Sequence, residues 1–512
     1  MSLYARPVES DPEMNPTNVG GTSGPRRSDP FRVLRTHRNF RLFWTGQTAS
    51  LVGTWMQTMA VGWLSLELSN SAFVVGLVAS MGALPIVLFS MHAGALVDRG
   101  NKLRIVRITQ TLFLLQALVL FGVTLSGHVT VGLLLGLSLV QGTLSAVEIP
   151  ARQSLIIQLV GREDLQPAIA LNSSGFNLAR VVGPAVGGAV IGKLGIAWCF
   201  GLNALSFGWV LWGLARVRTA NSETANGETA NRDSGGSTAA GFETANGDSA
   251  APEAFAPEAI GAEASTAGTG VGASGVGASE HEGIRREGSR GLPFRSRLSV
   301  PGYRSLLVQL SATNRSAWDG LRYLALPGPV RELLLLVTIG AILGGPFIAL
   351  MPVVAREQLG LGAEGYGAML AMVGIGGLIG ALLVAGPVSH KPHRGRVLIG
   401  AALAFPLLLL AFALTRTPWL AYALLLLTGM AMIMFNSLSN GVLQLLVDER
   451  YRGRLMAFYS LVFVGLSQAV GALALGALAR LIGGGEAIAA CALVLAVASG
   501  AAWRRGMFWR VV

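Results

Sequence analysis

The chain is 512 residues long, 52% hydrophobic and only 13% charged. Ordinary soluble domains carry roughly 25% charged residues, and a soluble chain of this length cannot bury that much apolar surface. A soluble enzyme, a nucleic-acid reader and a disordered scaffold are therefore excluded, and the net charge of +12 reads as basic loops along one face of a membrane.

The tail 1–41 comes first; its opening 30 residues hold no apolar core of a signal peptide, so the first span is expected to direct insertion. A ruler of about 20 mostly apolar residues then marks runs near 42–66, 72–95, 103–126, 130–150, 169–192 and 197–217. Residues 218–312 interrupt the pattern. Their core is Ala, Gly, Ser, Thr, Glu and Asn, with ETANG at 223–227 and again at 243–247, a composition too poor in large apolar side chains to offset ordering entropy. It is read as a disordered cytoplasmic linker. Trp318 to Leu326 reads as an amphipathic surface segment. Six further runs follow near 331–355, 362–386, 396–414, 419–447, 454–482 and 486–503, with 504–512 as a tail. The expected fold is an all-α membrane protein of about twelve transmembrane helices. They divide into a first bundle over 42–217 and a second, with its surface helix, over 313–503.

Charge fixes the expected orientation. Arg32, Arg35, Arg38 and Arg41 precede the first run, Arg99, Lys102, Arg104 and Arg107 follow the second, and Arg504 and Arg505 follow the last. The alternate loops hold far less basic charge, which puts both termini in the cytoplasm. The halves also echo one another. Gly94-x-x-x-Asp98-Arg99-x-x-Lys102-x-Arg104 meets Gly386-x-x-x-His390-Lys391-x-x-Arg394-x-Arg396, and parallel six-helix repeats are a transporter architecture.

GALVDRGNKLR (94–104) resembles the loop between the second and third helices of the major facilitator superfamily. The resemblance implies a latch built on Gly94, Asp98, Arg99, Lys102 and Arg104, in which Gly94 lets helices approach and Asp98 meets a helix N-terminus. An ordinary basic loop is the plainer reading. ARVVGPAVGGAV (179–190) resembles the superfamily's antiporter-associated motif through Gly183, Pro184, Gly187 and Gly188. There a kinked, closely packed helix is expected, with generic small-residue packing as the alternative. The stretches 39–68, 148–184, 356–370 and 443–483 are similar to the bacterial branch of the superfamily that includes the enterobactin exporter and macrolide-efflux relatives. That likeness implies two pseudo-symmetric six-helix bundles in the bacterial inner membrane and export of small molecules.

Charges inside spans are costly and usually face a cavity or a partner. Glu148 and Arg152 lie one turn apart on one helical face at the end of the fourth run. They are candidates for proton exchange, or for a static ion pair at the boundary. Arg180 lies deep in the fifth run with Asn172 and Asn177 on the same helix. Gln47, Thr54 and Gln57 with Trp55 and Trp63, and Asn436, Ser437, Ser439, Asn440 and Gln444 in the tenth run, either line a substrate cavity or bond neighbouring helices. Cys199 and Cys491 sit in apolar runs and the six histidines are scattered, so no disulfide, metal centre or cofactor is expected. No GxxxxGK[ST] motif is present to use ATP. The reading is a monomeric, non-enzymatic exporter of a small amphipathic substrate, exchanged for protons, with the lipid bilayer as its surroundings and no nucleic-acid partner. A lipid flippase, an intramembrane enzyme and a receptor or scaffold are the competing classes.

Overall fold

The computed structural model describes residues 31–161, 163–217, 328–388, 394–447, 449, 455–456, 458–459 and 461–506. The tail 1–30, the linker 218–312 and the Trp318–Leu326 segment lie outside them. A short helix, α1 (Arg32–Thr36), leads into α2 (Arg38–Ser69), α3 (Ala72–Arg99), α4 (Lys102–Leu125), α5 (Val131–Val160), α6 (Leu165–Leu194) and α7 (Ala197–Ala215). The second half holds α8 (Val330–Gln358), α9 (Ala363–Val388), α10 (Arg394–Leu414) and α11 (Pro418–Leu446). It closes with α12 (Leu461–Gly471 continued by Ala472–Ile482) and α13 (Gly484–Arg504).

Among the described residues eleven helices, α3 to α13, are long and apolar enough to cross a membrane. Twelve were expected, and the difference is the first. At 32 residues α2 has ample length, but Gln47, Thr48, Ser50, Thr54, Gln57 and Thr58 interrupt its apolar sequence. A second correction concerns α5. It runs to Val160 instead of stopping near 150, so Glu148 and Arg152 are interior residues of the helix.

Local chemistry explains where the helices start and stop. The Asn101 side chain accepts from the Arg104 amide at 3.1 Å and opens α4, and Thr130 caps α5 through the Leu133 amide, both satisfying otherwise orphaned N–H groups. At the far end of α2, Asn70 adopts φ 49, the left-handed turn that terminates a helix and that asparagine tolerates. The kink expected at Gly183-Pro184 does not interrupt α6, which is helical throughout. Helix winding changes only in the second half. Among the described residues, Gly340–Gly344 and Val354–Gln358 in α8, Val384–Val388 in α9 and Leu461–Gly471 in α12 are π-helical.

Side chains are sorted inside out relative to a soluble bundle. On α4, Val106, Phe113, Ala117 and Leu120 are buried while Ile108, Leu112, Leu115 and Leu118 are exposed, as a lipid-facing helix requires. On α7, Trp209 and Trp212 are exposed and lie against each other, and the Arg216 guanidinium sits 3.6 Å from the Trp212 ring centroid. This is an interfacial aromatic anchor. The Arg107 side chain donates to the Leu214 carbonyl at 2.6 Å and fastens α4 to the same end of α7.

The halves touch along α3 with α12 and α6 with α9, while α8 also meets α2 and α3. The core of the second half is one continuous apolar cluster that reaches across to Met59, Trp63, Leu66, Ala72 and Val75. The first half has three smaller clusters instead.

Candidate transport cleft

The cleft is organised by the faces of α6. At about 100° per residue, Gly175, Gly183 and Gly187 form a stripe turned to α2. A Cβ on Gly183 would stand 2.6 Å from that of Trp55, and one on Gly187 would stand 3.0 Å from the Met59 sulfur. A second stripe, Val181, Pro184 and Gly188, is turned to α9. Gly367 has no room for a side chain there, because a Cβ would stand 2.5 Å from the Pro184 carbonyl, and a Cβ on Gly188 would stand 3.0 Å from the Ala363 carbonyl. The antiporter-like motif thus serves two contacts at once. Gly183 and Gly187 seat α6 on its own half, and Pro184 and Gly188 seat it on the other.

Arg180 falls in the wedge between these stripes, near the middle of α6 and away from the exposed Leu178. It is half-buried. Its guanidinium lies 6.0 Å from the Trp55 ring centroid, and Trp55 meets Phe176 edge-on at 5.8 Å. Among the described residues Arg180 makes no ion pair. Asn177, half-buried one turn away, donates to the Ser173 carbonyl at 3.0 Å, and Asn172 is also half-buried.

The two ends of the cleft differ. At the end marked by the loops after α2, α6, α8 and α12, backbone meets backbone. Gly76 abuts the Ala472 carbonyl and Gly476, and Gly476 in turn approaches the Ala72 carbonyl at 3.0 Å. The Ser80 hydroxyl donates to the Ala469 carbonyl across the same seam. Trp63 stacks on Tyr366 at 5.9 Å and donates to Glu67 at 2.6 Å. Of the two readings, cavity wall or helix contact, Trp63 fits the contact, since it stacks within this seam. At the other end, a Cβ placed on Gly94 or Gly441 would meet nothing within 4 Å among the described residues. Asp98 is exposed, its backbone carbonyl accepting from Lys102 at 2.8 Å. Arg99 and Arg104 are exposed too. His390 and Lys391 of the second-half copy lie outside the described residues.

Two polar assemblies lie inside the first half. Glu148 and Arg152 pair at 3.1 Å, and the Gln110 amide donates to the same Glu148 oxygen at 3.4 Å. Both charged side chains are buried, with 8% and 6% exposure, so this is a desolvated pair on α5 supported by a second helix, α4. The second assembly was only half anticipated. Gln57 donates to Gln116 and Gln141 at 3.0 Å each and accepts from Asn203 at 2.9 Å. This amide hub joins α2, α4, α5 and α7. Gln57 is 1% exposed and is a bundle contact, not part of the cleft wall. The missed partners had a signal in the sequence: each is an amide in the middle of an apolar run. Gln47 is likewise buried, its Oε1 without a hydrogen-bond partner. Asn440, also buried, accepts from Gln444 at 3.4 Å. Among the described residues no group of three or more His, Cys, Asp or Glu could hold a metal ion.

The family model described as Transmembrane secretion effector matches residues 29–233 and 308–506, which is most of the chain. The protein belongs to this major facilitator family. The curated relatives of this secretion-effector member match it more narrowly. The staphyloferrin A transporter of Staphylococcus aureus is 28% identical over 152 residues, 30% of this chain and 38% of its own. The multidrug efflux pump Tap of Mycolicibacterium fortuitum is 29% identical over 169 residues, 31% and 39% of the two chains. The enterobactin exporter EntS of Shigella boydii is 25% identical over 175 residues, 34% and 41%. The matched segments span about two fifths of each relative's length. Solved structures share the fold across nearly the whole chain. The nucleoside transporter NupG aligns at a TM-score of 0.55 with 13% identity, covering 92% of this chain and 99% of that one. A POT family transporter in complex with a thioalcohol conjugated peptide reaches 0.58 with 9% identity, covering 91% and 96%. The chain is thus a multi-pass membrane protein with the superfamily fold.

Proposed function

We propose that the protein is a secondary exporter of small amphipathic molecules that works by alternating access. Its twelve helices, α2 to α13, would form two six-helix bundles that rock about the Arg180 cleft. The observation that carries this is the contrast between the two ends. Glycine backbones seal one end at Gly76, Gly188, Gly367 and Gly476, while Gly94 and Gly441 stand clear at the other. The positive-inside bias assigns the open end, where both termini lie, to the cytoplasm of a bacterial cell. The structure then corresponds to the state that loads substrate from inside. The names of two relatives, an enterobactin exporter and a multidrug efflux pump, support an outward direction. No enzymatic step is part of this reading, and the unit is a monomer.

Protons supply the drive in this proposal. The Glu148 carboxylate, neutralised, would release Arg152 and Gln110, and the freed charge would shift the balance between the open and closed ends. Asp98, exposed here, would form its latch only when the cytoplasmic end closes.

Comparison of metabolites retained in cells and released to the medium, with and without the gene, at high and low iron, tests the function. A siderophore retained only in the deletion strain supports siderophore export; a drug or secondary metabolite retained regardless of iron supports the other branch. No retained compound in either condition overturns the exporter. In everted vesicles, Glu148→Gln is expected to abolish dependence on the pH gradient, and an unchanged dependence removes that residue from the coupling path. Asp98→Asn is expected to slow cycling while leaving binding intact.

A further inference from the structure

Arg180 is the feature that the exporter reading leaves unexplained. A guanidinium near the centre of a membrane-spanning helix is expensive unless something answers its charge. The other buried cation in the first half, Arg152, has Glu148 at 3.1 Å. Arg180 has only the face of Trp55 at 6.0 Å, and a cation–π contact at that range supplies a fraction of what a carboxylate supplies. The group is not pushed into lipid. It lies between the α2-facing and α9-facing stripes of α6, partly open, with its own backbone carbonyl 3.3 Å from the Cβ position of Gly374 on the other half. A charge that no described residue pairs with, placed on the seam between two halves that must move, is a place for an anion that arrives with the cargo.

The neighbours define the rest of the cargo. Trp55 and Phe176 meet edge-on, and both are half-buried, so each ring leaves part of its surface open. On the next turn of α2, Thr58 is exposed, but its hydroxyl is already donated to the Thr54 carbonyl at 2.9 Å. The site therefore offers one strong cation and two aromatic faces and holds no carboxylate among the described residues that would attract a cation.

We propose that the cleft selects anionic, ring-bearing molecules, with the carboxylate or an equivalent oxyanion on Arg180 and the ring against Trp55 and Phe176. This rests on the exporter reading only for its direction, since the site would bind the same class in any transporter. Guanidinium is suited to the task because its planar fork engages a carboxylate through two parallel hydrogen bonds. Uncharged and cationic amphipaths lose that pairing and keep only the ring contact.

The test uses the full chain in lipid nanodiscs and three labelled probes with the same ring: naphthoate, naphthylmethanol and naphthylmethylammonium. Saturable binding is read by equilibrium dialysis. Naphthoate is expected to bind roughly tenfold tighter than either of the others, the difference that one charge-assisted pairing supplies. Arg180→Gln should erase the preference while naphthylmethanol binding stays as it was, which also shows that the cleft is intact. Arg180→Lys should keep part of the preference, and Trp55→Leu should weaken all three probes alike. Equal affinity for the three probes, an unchanged naphthoate affinity in Arg180→Gln, or saturable binding of none of them overturns the proposal. Should the glutamine variant aggregate, the ranking of probes on the unmodified protein decides alone. Loss of the cellular export phenotype with a retained naphthoate preference removes the exporter and leaves the anion site, and the reverse result does the opposite.

Discussion

The two halves share a plan but not a chemistry. The second half is built round one apolar cluster, its buried polar side chains being mainly short ones such as Thr428, Ser439, Ser467 and Ser499. The first half divides its apolar residues into three clusters and buries Gln57, Gln110, Gln116, Asn203, Glu148 and Arg152. The backbones differ in the opposite sense. The first half carries Pro85, Pro150 and Pro184 inside unbroken α-helices, whereas the π-helical stretches all fall in the second. Directional polar bonds hold helices at fixed register, and extra residues inserted into a helix mark places where register is given up. The difference teaches that directional polar bonds fix the helices of one half, while the other packs through apolar contact with local changes of winding.

That contrast can be broken most severely at the buried ion pair. Arg152→Leu leaves Glu148 buried without its partner and is expected to cost about 3–5 kcal/mol, read as a large drop in unfolding midpoint in detergent. Adding Glu148→Met should recover most of the loss; if it does not, the pair is needed for the fold and not only for coupling. Next comes the amide hub. Gln57→Leu removes three interhelical hydrogen bonds and is expected to cost about 2 kcal/mol at roughly 0.6 kcal/mol per bond in a membrane protein. A loss confined to the first half by hydrogen exchange would sharpen the comparison. Ser467→Ala removes one bond to the Ala341 carbonyl at 2.5 Å in the second half, for about 0.6 kcal/mol. A larger loss than that of Gln57→Leu would reverse the ranking of the halves. The smallest effect is expected at Asp98→Asn. The residue is exposed, so stability should move by less than about 0.5 kcal/mol while the transport rate falls.

Much of this architecture is legible in the sequence because lipid imposes a simple length rule. The run 103–126 is helix Lys102–Leu125, and 197–217 is Ala197–Ala215. Where the rule failed, the reason was amphipathy. In α5 the polar run Arg152, Gln153 and Ser154 follows Pro150, so hydropathy ends the apolar run while the helix continues inside the protein to Val160. Spacing alone placed Glu148 and Arg152 together. Periodicity within one helix could not show that Gln57 faces Gln116, Gln141 and Asn203, because such pairing is decided by how four helices cross. The same limit hid the fate of Trp63: its partner Tyr366 stands on the other half.

The end of α7 has a mechanical consequence. Arg216 is clamped over Trp212, and Arg107 holds the carbonyls of Leu214 and Val217 at 2.6 and 3.4 Å. The chain that leaves at residue 218 does so from a point bolted on two sides, to the lipid interface and to α4. A tug on the connecting segment would be borne by that clamp before reaching the Arg180 cleft. Residues 218–312 are therefore a permissive site for cutting, shortening or inserting a fluorescent domain, and a transporter split there and co-expressed as two pieces should still assemble.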